Sequence, residues 1–207
     1  MKIEMVASQP DRAGRHTVRF EGGETMRLYR QTVEDFGLYA GMELTDEEFK
    51  KLSEAAGQMS AKMRAVRIIS ASGVTKRELE HRLIQKGENP EQAKEAVAWL
   101  SEMDLLDDEK TARNIVERCI SKGYGLARAK QALYEKRVPK HLWENVLSDY
   151  PAQDEYILSY IENYPEIRTD RKARDRVINA LLRRGHTYGE IRRAMEEMSL
   201  NLEETDG

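Results

Sequence analysis

Cysteine is nearly absent from this sequence, since Cys119 is the only one among 207 residues. One thiol per chain can build neither an internal disulfide nor a cysteine-ligated zinc site. The apolar neighbours Ile115, Val116 and Ile120 follow helical spacing. This spacing predicts that the thiol lies buried and unreactive on an apolar helix face.

Long hydrophobic runs are also absent. No segment reaches the roughly 18 consecutive apolar residues that a membrane-spanning helix needs. Met1 is followed by alternating polar and apolar residues, whereas a signal peptide has an apolar stretch of about 7–15 residues. The expected location is therefore the cytoplasm.

Aromatic residues are scarce at 7%, whereas charged residues make up 34% and hydrophobic residues 40% of the sequence. This composition is typical of amphipathic helices that share a thin core, and it argues against the thick core of an α/β protein. The formal net charge of −3 gives no indication of a nucleic-acid partner. The distribution of charge along the chain is more informative.

The amino-terminal segment alternates polar and apolar residues, which predicts β-strands over residues 2–6, 17–20 and 26–29. Between the last two strands, Gly22 and Gly23 permit the positive φ angles of a tight hairpin turn. We expect a three-stranded antiparallel meander. Because so small a sheet is marginal alone, it should pack on the segments that follow.

From about Val33 onward, the apolar residues follow helical spacing. Three segments match the capping box, in which a threonine and a glutamate three residues later satisfy free backbone amides at a helix start. These matches predict helices that begin after Thr45, Thr75 and Thr187.

An internal repeat organises the helical part. The anchor leucines Leu83, Leu133 and Leu181 recur at intervals of 50 and 48 residues, each between apolar-periodic segments. Each repeat is therefore predicted to hold three short helices. Such repeats bury their apolar faces against their neighbours, which predicts an elongated, curved array with a concave binding face. The alternative is an ordinary globular helical domain whose repeats are accidental.

The expected fold class is thus mainly α, with tandem three-helix repeats after a small amino-terminal antiparallel β meander. Residues 1–58 are predicted to hold the meander and a short helical segment. The three repeats are placed at residues 59–106, 107–150 and 151–207, and the last includes an acidic tail.

The ends of the anchor helices differ in sequence. Gly87 and Gly185 follow a basic residue and suit a left-handed helix cap. Arg137 occupies the corresponding place in the middle repeat. We therefore expect a different cap there.

No catalytic or metal-binding pattern is present. Gly123–Tyr124–Gly125 is the only compact glycine cluster of the helical part, and it joins two predicted helices. A linking turn is favoured over a phosphate cradle, which would follow a strand. No histidine has the spacing of a metal pair or a nearby cysteine; the four are His16, His81, His141 and His186. We predict no catalytic residue, no metal and no cofactor, and we do not expect an enzyme.

Positive charge is concentrated in two segments. Residues 62–86 hold seven cations against two carboxylates, and residues 165–193 hold nine against four. Basic helical patches pair with phosphates or with acidic protein surfaces, although a charge run is most often a solvated helix face. Tyr124, Tyr134 and Tyr188 are candidates for stacking on bases, and core or rim positions are favoured for them.

Three motifs in this order and spacing resemble the RecX family of RecA regulators, over about residues 60–200. The motifs are Thr75-x-x-Glu78-Leu79-x-x-x-Leu83-x-x-Lys86-Gly87, then Leu105-Leu106-Asp107-Asp108 with Ala112, then Gly123-x-Gly125 followed by Leu133. The β-rich amino-terminal extension also occurs in some members.

The resemblance implies tandem three-helix repeats and a role in modulating RecA. Members bind the RecA filament on single-stranded DNA, are thought to lie along its helical groove, and typically suppress its ATPase and strand exchange. This chain departs from the family at Arg137, where a glycine is expected, and in its acidic net charge. The second departure predicts weak direct affinity for DNA.

The expected function is inhibition of RecA by a monomer that bridges neighbouring filament subunits, without a membrane. The candidate partner-binding residues are cations at the two basic ends: Arg64, Arg67, Lys76, Arg77, Arg171, Arg174, Arg183, Arg184, Arg192 and Arg193. Reversing the charge of Arg183 and Arg184 is expected to weaken filament binding without loss of structure. The alternatives are a protein that binds single-stranded DNA directly and a generic helical adaptor.

Overall fold

The computed structural model describes residues 1–198, which form ten α-helices and one three-stranded sheet. The chain divides into two compact units, Met1–Leu106 and Asp107–Gly207. The mainly helical architecture with a small amino-terminal sheet confirms the predicted fold class. The acidic tail predicted at the carboxyl end lies outside the described residues.

The first unit opens with the predicted antiparallel meander. Its strands are β1 (Ile3–Val6), β2 (Arg15–Phe20) and β3 (Thr25–Tyr29), in the sheet order β1-β2-β3. Gly22 and Gly23 in the turn before β3 adopt φ angles of 95° and 87°. Glycine reaches these angles without steric penalty, as the hairpin prediction required.

Helices α1 (Arg30–Asp35), α2 (Asp46–Ala71), α3 (Lys76–Gln85) and α4 (Pro90–Glu102) complete this unit. At 1.5 Å per residue, α2 is about 39 Å long. It runs without interruption through residues 58 and 59, where the sequence places a boundary. Its first turns pack on the sheet, and its last turns share a core with α3 and α4.

The meander packs on α2 through one apolar face. Val18, Phe20 and Leu28 point inward and are fully or almost fully buried. The ring of Phe20 meets that of Phe49 edge-on, with the centroids 5.2 Å apart. Burial of apolar surface is the dominant stabilising term for so small a sheet, so the strands depend on the helix, as expected.

The second unit holds six α-helices and two short 3₁₀ turns among its described residues. The helices pack in two apolar clusters, and each cluster draws on three of them. In chain order the elements are α5 (Asp108–Ser121), α6 (Leu126–Glu135), a 3₁₀ turn (Lys140–Leu142), α7 (Trp143–Leu147), α8 (Asp154–Glu162), a 3₁₀ turn (Pro165–Arg168), α9 (Arg171–Arg183) and α10 (Tyr188–Glu197).

All three helix starts predicted from the sequence carry their caps. Thr45 and Thr187 form full capping boxes, each with the glutamate three residues later. The side chain of Thr75 accepts a hydrogen bond from the Glu78 amide at 3.2 Å. Each cap satisfies a backbone donor that the first helical turn leaves unpaired.

The anchor helices end in one shared geometry. The three anchor leucines are fully buried, and Gly87, Arg137 and Gly185 follow with φ angles of 89°, 54° and 90°. In each case the next amide donates to the carbonyl of the anchor leucine, at 3.1, 3.0 and 3.2 Å respectively. The expected difference at Arg137 is therefore wrong. Packing imposes the left-handed conformation there, at a cost of about 1–2 kcal/mol for a side chain with a Cβ.

In the second unit, the turn between α5 and α6 packs against the turn between α9 and α10. The Gly125 amide donates to the Arg184 carbonyl at 3.0 Å. A Cβ on Gly125 would overlap the Gly185 carbonyl, and a Cβ on Gly185 would overlap the backbone of Arg128. We call this pair of turns the glycine contact. The motif from Gly123 to Gly125 is thus a helix-linking turn, as predicted, and its small residues permit backbone-to-backbone packing.

His186 is buried at the glycine contact, with 4% of its surface exposed. Its Nε2 donates to the Gly123 carbonyl at 3.0 Å, and its ring stacks on Tyr156 with centroids 5.9 Å apart. Within the described residues its Nδ1 has no hydrogen-bond partner. These contacts fit a neutral imidazole with its proton on Nε2. Burial lowers the pKa of His186 below its ordinary value.

Gly125→Ala is expected to destabilise the second unit by about 1–3 kcal/mol, because the added methyl group must displace the Gly185 carbonyl. Urea unfolding followed by circular dichroism measures the change. The matched control is Gly189→Ala in the first turn of α10, where an added Cβ meets nothing within 4 Å. Stability there should be unchanged or slightly raised. An unfolding midpoint for Gly125→Ala equal to that of the unaltered chain would contradict the close contact.

His186 should make the stability pH-dependent. Because its pKa is lower in the folded than in the unfolded chain, the unfolded chain binds the proton more tightly. The stabilisation is complete above the unfolded-state pKa of about 6.5 and is lost as pH falls toward the folded-state pKa. His186→Gln should flatten the pH dependence of the unfolding free energy between about pH 7 and pH 5, as measured by urea titrations. His141→Gln, at an exposed histidine, should retain it; an unchanged slope in His186→Gln would refute this role.

Candidate partner-binding surface

Two of the predicted partner-binding residues in the first unit are tied into that unit. Arg64 Nε lies 2.7 Å from Oε1 of Glu88, whose side chain is buried, and Arg64 also donates to the Lys86 carbonyl. Arg67 donates from Nη2 to the Ala13 carbonyl at 2.7 Å, which links α2 to the loop between β1 and β2. Removal of Arg64 would leave the buried Glu88 carboxylate without its cation, which destabilises the folded state. Arg64 therefore has a structural role.

Arg174 and Arg192 are likewise turned toward their own unit. Arg174 Nε donates to the Ile167 carbonyl at 3.2 Å. Arg192 Nε lies 2.7 Å from Oε1 of Glu196, one helical turn further along α10. Part of the hydrogen-bonding capacity of Arg174 and Arg192, which were predicted to bind a partner, is therefore used within the chain.

Four other candidates are exposed at separate places. Lys76 and Arg77 lie in the first turn of α3, Arg171 is the first residue of α9, and Arg193 lies on α10. The positive ends of the helix dipoles of α3 and α9 add to the potential of the first three cations. They stay candidates for partner contacts.

Arg183 and Arg184, which are adjacent in the chain, share one concave site of the second unit. They line a cleft of about 410 Å³ together with Tyr124, Arg128 and Ala180. The glycine contact creates this cleft, since it sets the start of α6 against the end of α9. We call it the arginine cleft.

Arg184 is held in place by aromatic rings. Its guanidinium carbon lies 5.2 Å from the ring centroid of Tyr160, 5.5 Å from that of Tyr156 and 5.8 Å from that of Tyr124. Each contact is a cation–π interaction, which strengthens as water is excluded. Charge reversal of Arg184 would remove all three contacts. The expectation that both arginines can be reversed without loss of structure is therefore restricted to Arg183, which is exposed.

The tyrosines beneath Arg184 form a continuous cluster. Tyr156 stacks on Tyr160 with centroids 6.1 Å apart, and Tyr160 lies against Tyr164 at 5.4 Å. The hydrogen bond of its hydroxyl group to Tyr160 raises the pKa of Tyr164 above its ordinary value. These rings contact one another, Arg184 and His186.

The tyrosines singled out in the sequence lie in two kinds of environment. Tyr124 is half-buried under Arg184, and its carbonyl accepts a hydrogen bond from the Tyr150 hydroxyl at 2.6 Å. Burial raises the pKa of Tyr150 to about 12. Tyr134 and Tyr188 are 66% and 52% exposed. Tyr124 is therefore part of the cleft wall, whereas the other two are surface residues.

Arg128 is the cleft residue that the sequence reasoning missed. Its Nη1 lies 3.3 Å from Oε1 of Glu135 across the exposed face of α6. A signal existed, because residues 122–137 contain five cations and one carboxylate. That excess lies between the two predicted basic segments, and the glycine contact is what places Arg128 in the same cleft as Arg183.

The chemistry available in the cleft is anion recognition. Guanidinium groups are permanently charged and form paired hydrogen bonds to carboxylate or phosphate oxygens.

Within residues 1–198, no group of three or more His, Cys, Asp or Glu side chains is placed to hold a metal ion. Cys119 is buried, as predicted, and burial raises the pKa of its thiol. No helix among the described residues has the length and apolar character needed to cross a membrane.

Similar proteins extend over nearly the whole chain. A regulatory protein RecX of Caldanaerobacter subterraneus subsp. tengcongensis is 29% identical over 194 residues, which cover 93% of this chain and 95% of that protein. A regulatory protein RecX of Clostridium acetobutylicum is 23% identical over 205 residues, or 95% of each chain. No family model matches the chain.

Solved structures show the same fold. A crystal structure of regulatory protein RecX superposes with a TM-score of 0.62 at 19% identity and covers 96% of this chain and 98% of that one. The crystal structure of RecX from Lactobacillus salivarius has a TM-score of 0.59 at 21% identity and covers 71% of this chain and 99% of that one. Relatives matched along nearly their full length, together with the same fold, support the assignment of this chain to the RecX family of regulatory proteins.

Proposed function

We propose that this chain is a cytoplasmic, non-enzymatic modulator of RecA. In this proposal it binds the RecA filament on single-stranded DNA and suppresses ATP hydrolysis and strand exchange. The observation that carries the proposal is the similarity to regulatory RecX proteins over nearly the whole chain. The arginine cleft supplies a recognition site that needs no cofactor, because permanently charged guanidinium groups make the contacts.

The proposed mechanism is stoichiometric binding. Arg184 is already oriented by three aromatic rings before a partner arrives, so less conformational entropy is lost when the partner binds. Arg183 is exposed beside it. An anionic group of the filament held by this pair would be restrained, and restrained subunits would pass more slowly through the cycle that ATP turnover and strand exchange require.

Cations in both units give one chain more than one point of attachment. Lys76 and Arg77 are exposed in the first unit, and Arg171, Arg183 and Arg193 in the second. Several weak contacts on one chain raise the overall affinity because the later contacts form intramolecularly. We propose that a monomer bridges neighbouring RecA subunits in this way, with the repeats at residues 59–106, 107–150 and 151–207 as the contacting modules.

Arg183→Glu is expected to raise the concentration needed for half-inhibition of the RecA ATPase on single-stranded DNA by about tenfold, which corresponds to ~1.4 kcal/mol. The matched control is Arg118→Glu. Both arginines are exposed and lie in the last turn of a helix, so both reversals disturb the helix dipole equally. Only the first alters the cleft. Circular dichroism and thermal melting should be unchanged in both.

Three results would count against this function or this surface. Full inhibition by Arg183→Glu would reject the arginine cleft as the contact. Failure of the unaltered chain both to inhibit ATP hydrolysis and to co-sediment with the filament would reject the RecA proposal. Binding to free single-stranded DNA that weakens steeply with salt, through counterion release, would instead favour a DNA-binding protein.

A further inference from the structure

We propose that the arginine cleft binds carboxylate side chains of an acidic protein segment in preference to the phosphates of nucleic acid. The inference deepens the proposed function and rests on it for the identity of the partner. The selectivity itself follows from the residues of the cleft and is testable without RecA.

The cleft has an excess of positive charge. Arg128, Arg183 and Arg184 line it, and among the described residues only Arg128 has an ion pair, with Glu135 at 3.3 Å. Glu135 is half exposed, so solvent screens this pair and its strength is small. Since guanidinium groups that line one cleft repel one another, an anion bound in the cleft is electrostatically favoured.

The aromatic faces near the cleft are already occupied. Arg184 lies over the rings of Tyr124, Tyr156 and Tyr160, and His186 stacks on Tyr156. Proteins that bind single-stranded nucleic acid gain much of their affinity by stacking bases on free aromatic rings. The cleft offers no such platform, because its tyrosines orient Arg184.

Two further cations on α9 and α10 are engaged by groups of their own unit. A nucleic-acid backbone requires a groove of cations along which successive phosphates lie. Arg174 and Arg192 direct their Nε groups to the Ile167 carbonyl and to the Glu196 carboxylate, which leaves them less available for such a row of phosphates. A volume of about 410 Å³ suits one or two side chains. A glutamate or aspartate carboxylate fits the planar fork of a guanidinium, and its methylene groups can pack on Ala180 and Tyr124.

The test compares two anions of equal charge on the full-length chain. Arginine Nε–H resonances of the ¹⁵N-labelled protein are followed by NMR during titration with a terminally blocked octaglutamate peptide and, separately, with a thymidine nonamer that carries eight phosphodiesters. The Arg184 resonance is a built-in reporter, since three tyrosine rings shift it away from the exposed arginines. We expect the Arg183 and Arg184 resonances to shift, with half-saturation at an about tenfold lower concentration of peptide than of oligonucleotide.

Two variants locate the effect. Arg183→Gln removes an exposed cation without disturbing the tyrosine cluster, and it should raise the half-saturation concentration of the peptide, read at Arg184, by about tenfold. Arg118→Gln removes another exposed arginine, outside the cleft, and should leave that concentration unchanged. An equal effect of the two variants would show that binding reflects net charge alone, which overturns the proposal.

The remaining outcomes also decide the question. Half-saturation by the thymidine nonamer at an equal or lower concentration would overturn the proposal in favour of a nucleic-acid contact. Absence of any shift at Arg183 and Arg184 with either probe at millimolar concentration would show that the cleft binds no anion. Because RecA takes no part in this titration, its outcome is separate from that of the ATPase test. The carboxylate preference can hold even if the chain does not act on RecA. The chain can likewise act on RecA even if the cleft has no preference for carboxylates.

Discussion

Backbone-to-backbone packing at the glycine contact is the constraint on which the second unit depends. The amide of Gly125 bonds to the Arg184 carbonyl, and neither Gly125 nor Gly185 has room for a Cβ. This contact fixes where α6 meets the end of α9 and so places Arg128 beside Arg183. It also buries His186, whose Nε2 donates a hydrogen bond to the Gly123 carbonyl in the turn between α5 and α6. The concave site is therefore a consequence of residues that have no side chain.

Arg184 shows how one residue serves both the fold and the site. Its carbonyl accepts a hydrogen bond from the Gly125 amide, and its guanidinium group lies over Tyr124, Tyr156 and Tyr160. A cation fixed in this way loses little further freedom when an anion binds. Arg183, one residue earlier, is exposed and carries no structural contact of this kind. The pair thus combines an oriented cation with an accessible one, which suits the recognition of an anion.

Much of the fold was predictable because local rules govern it. The strands follow a period of two, the threonine caps act on amides within the same turn, and the buried anchor leucines recur at the repeat interval. The cap at Arg137 was not predictable, since arginine is disfavoured in the left-handed conformation. Its anchor leucine, Leu133, is buried in an apolar cluster of its own, and the helix ends in the geometry that Gly87 and Gly185 adopt readily. Tertiary packing there overrides the preference of a single residue.

The sequence by itself determined the fold class, the recurring anchor leucines, the helix starts and the presence of excess cations, because each depends on composition or on spacing along the chain. Only the tertiary structure decided which cations are available to a partner. Arg64 and Arg67 bond to groups 24 and 54 residues away, and Arg128 becomes a cleft residue through contact with a turn more than 50 residues later. Charge can be counted along a sequence, but its pairing depends on distances in space, which the fold sets.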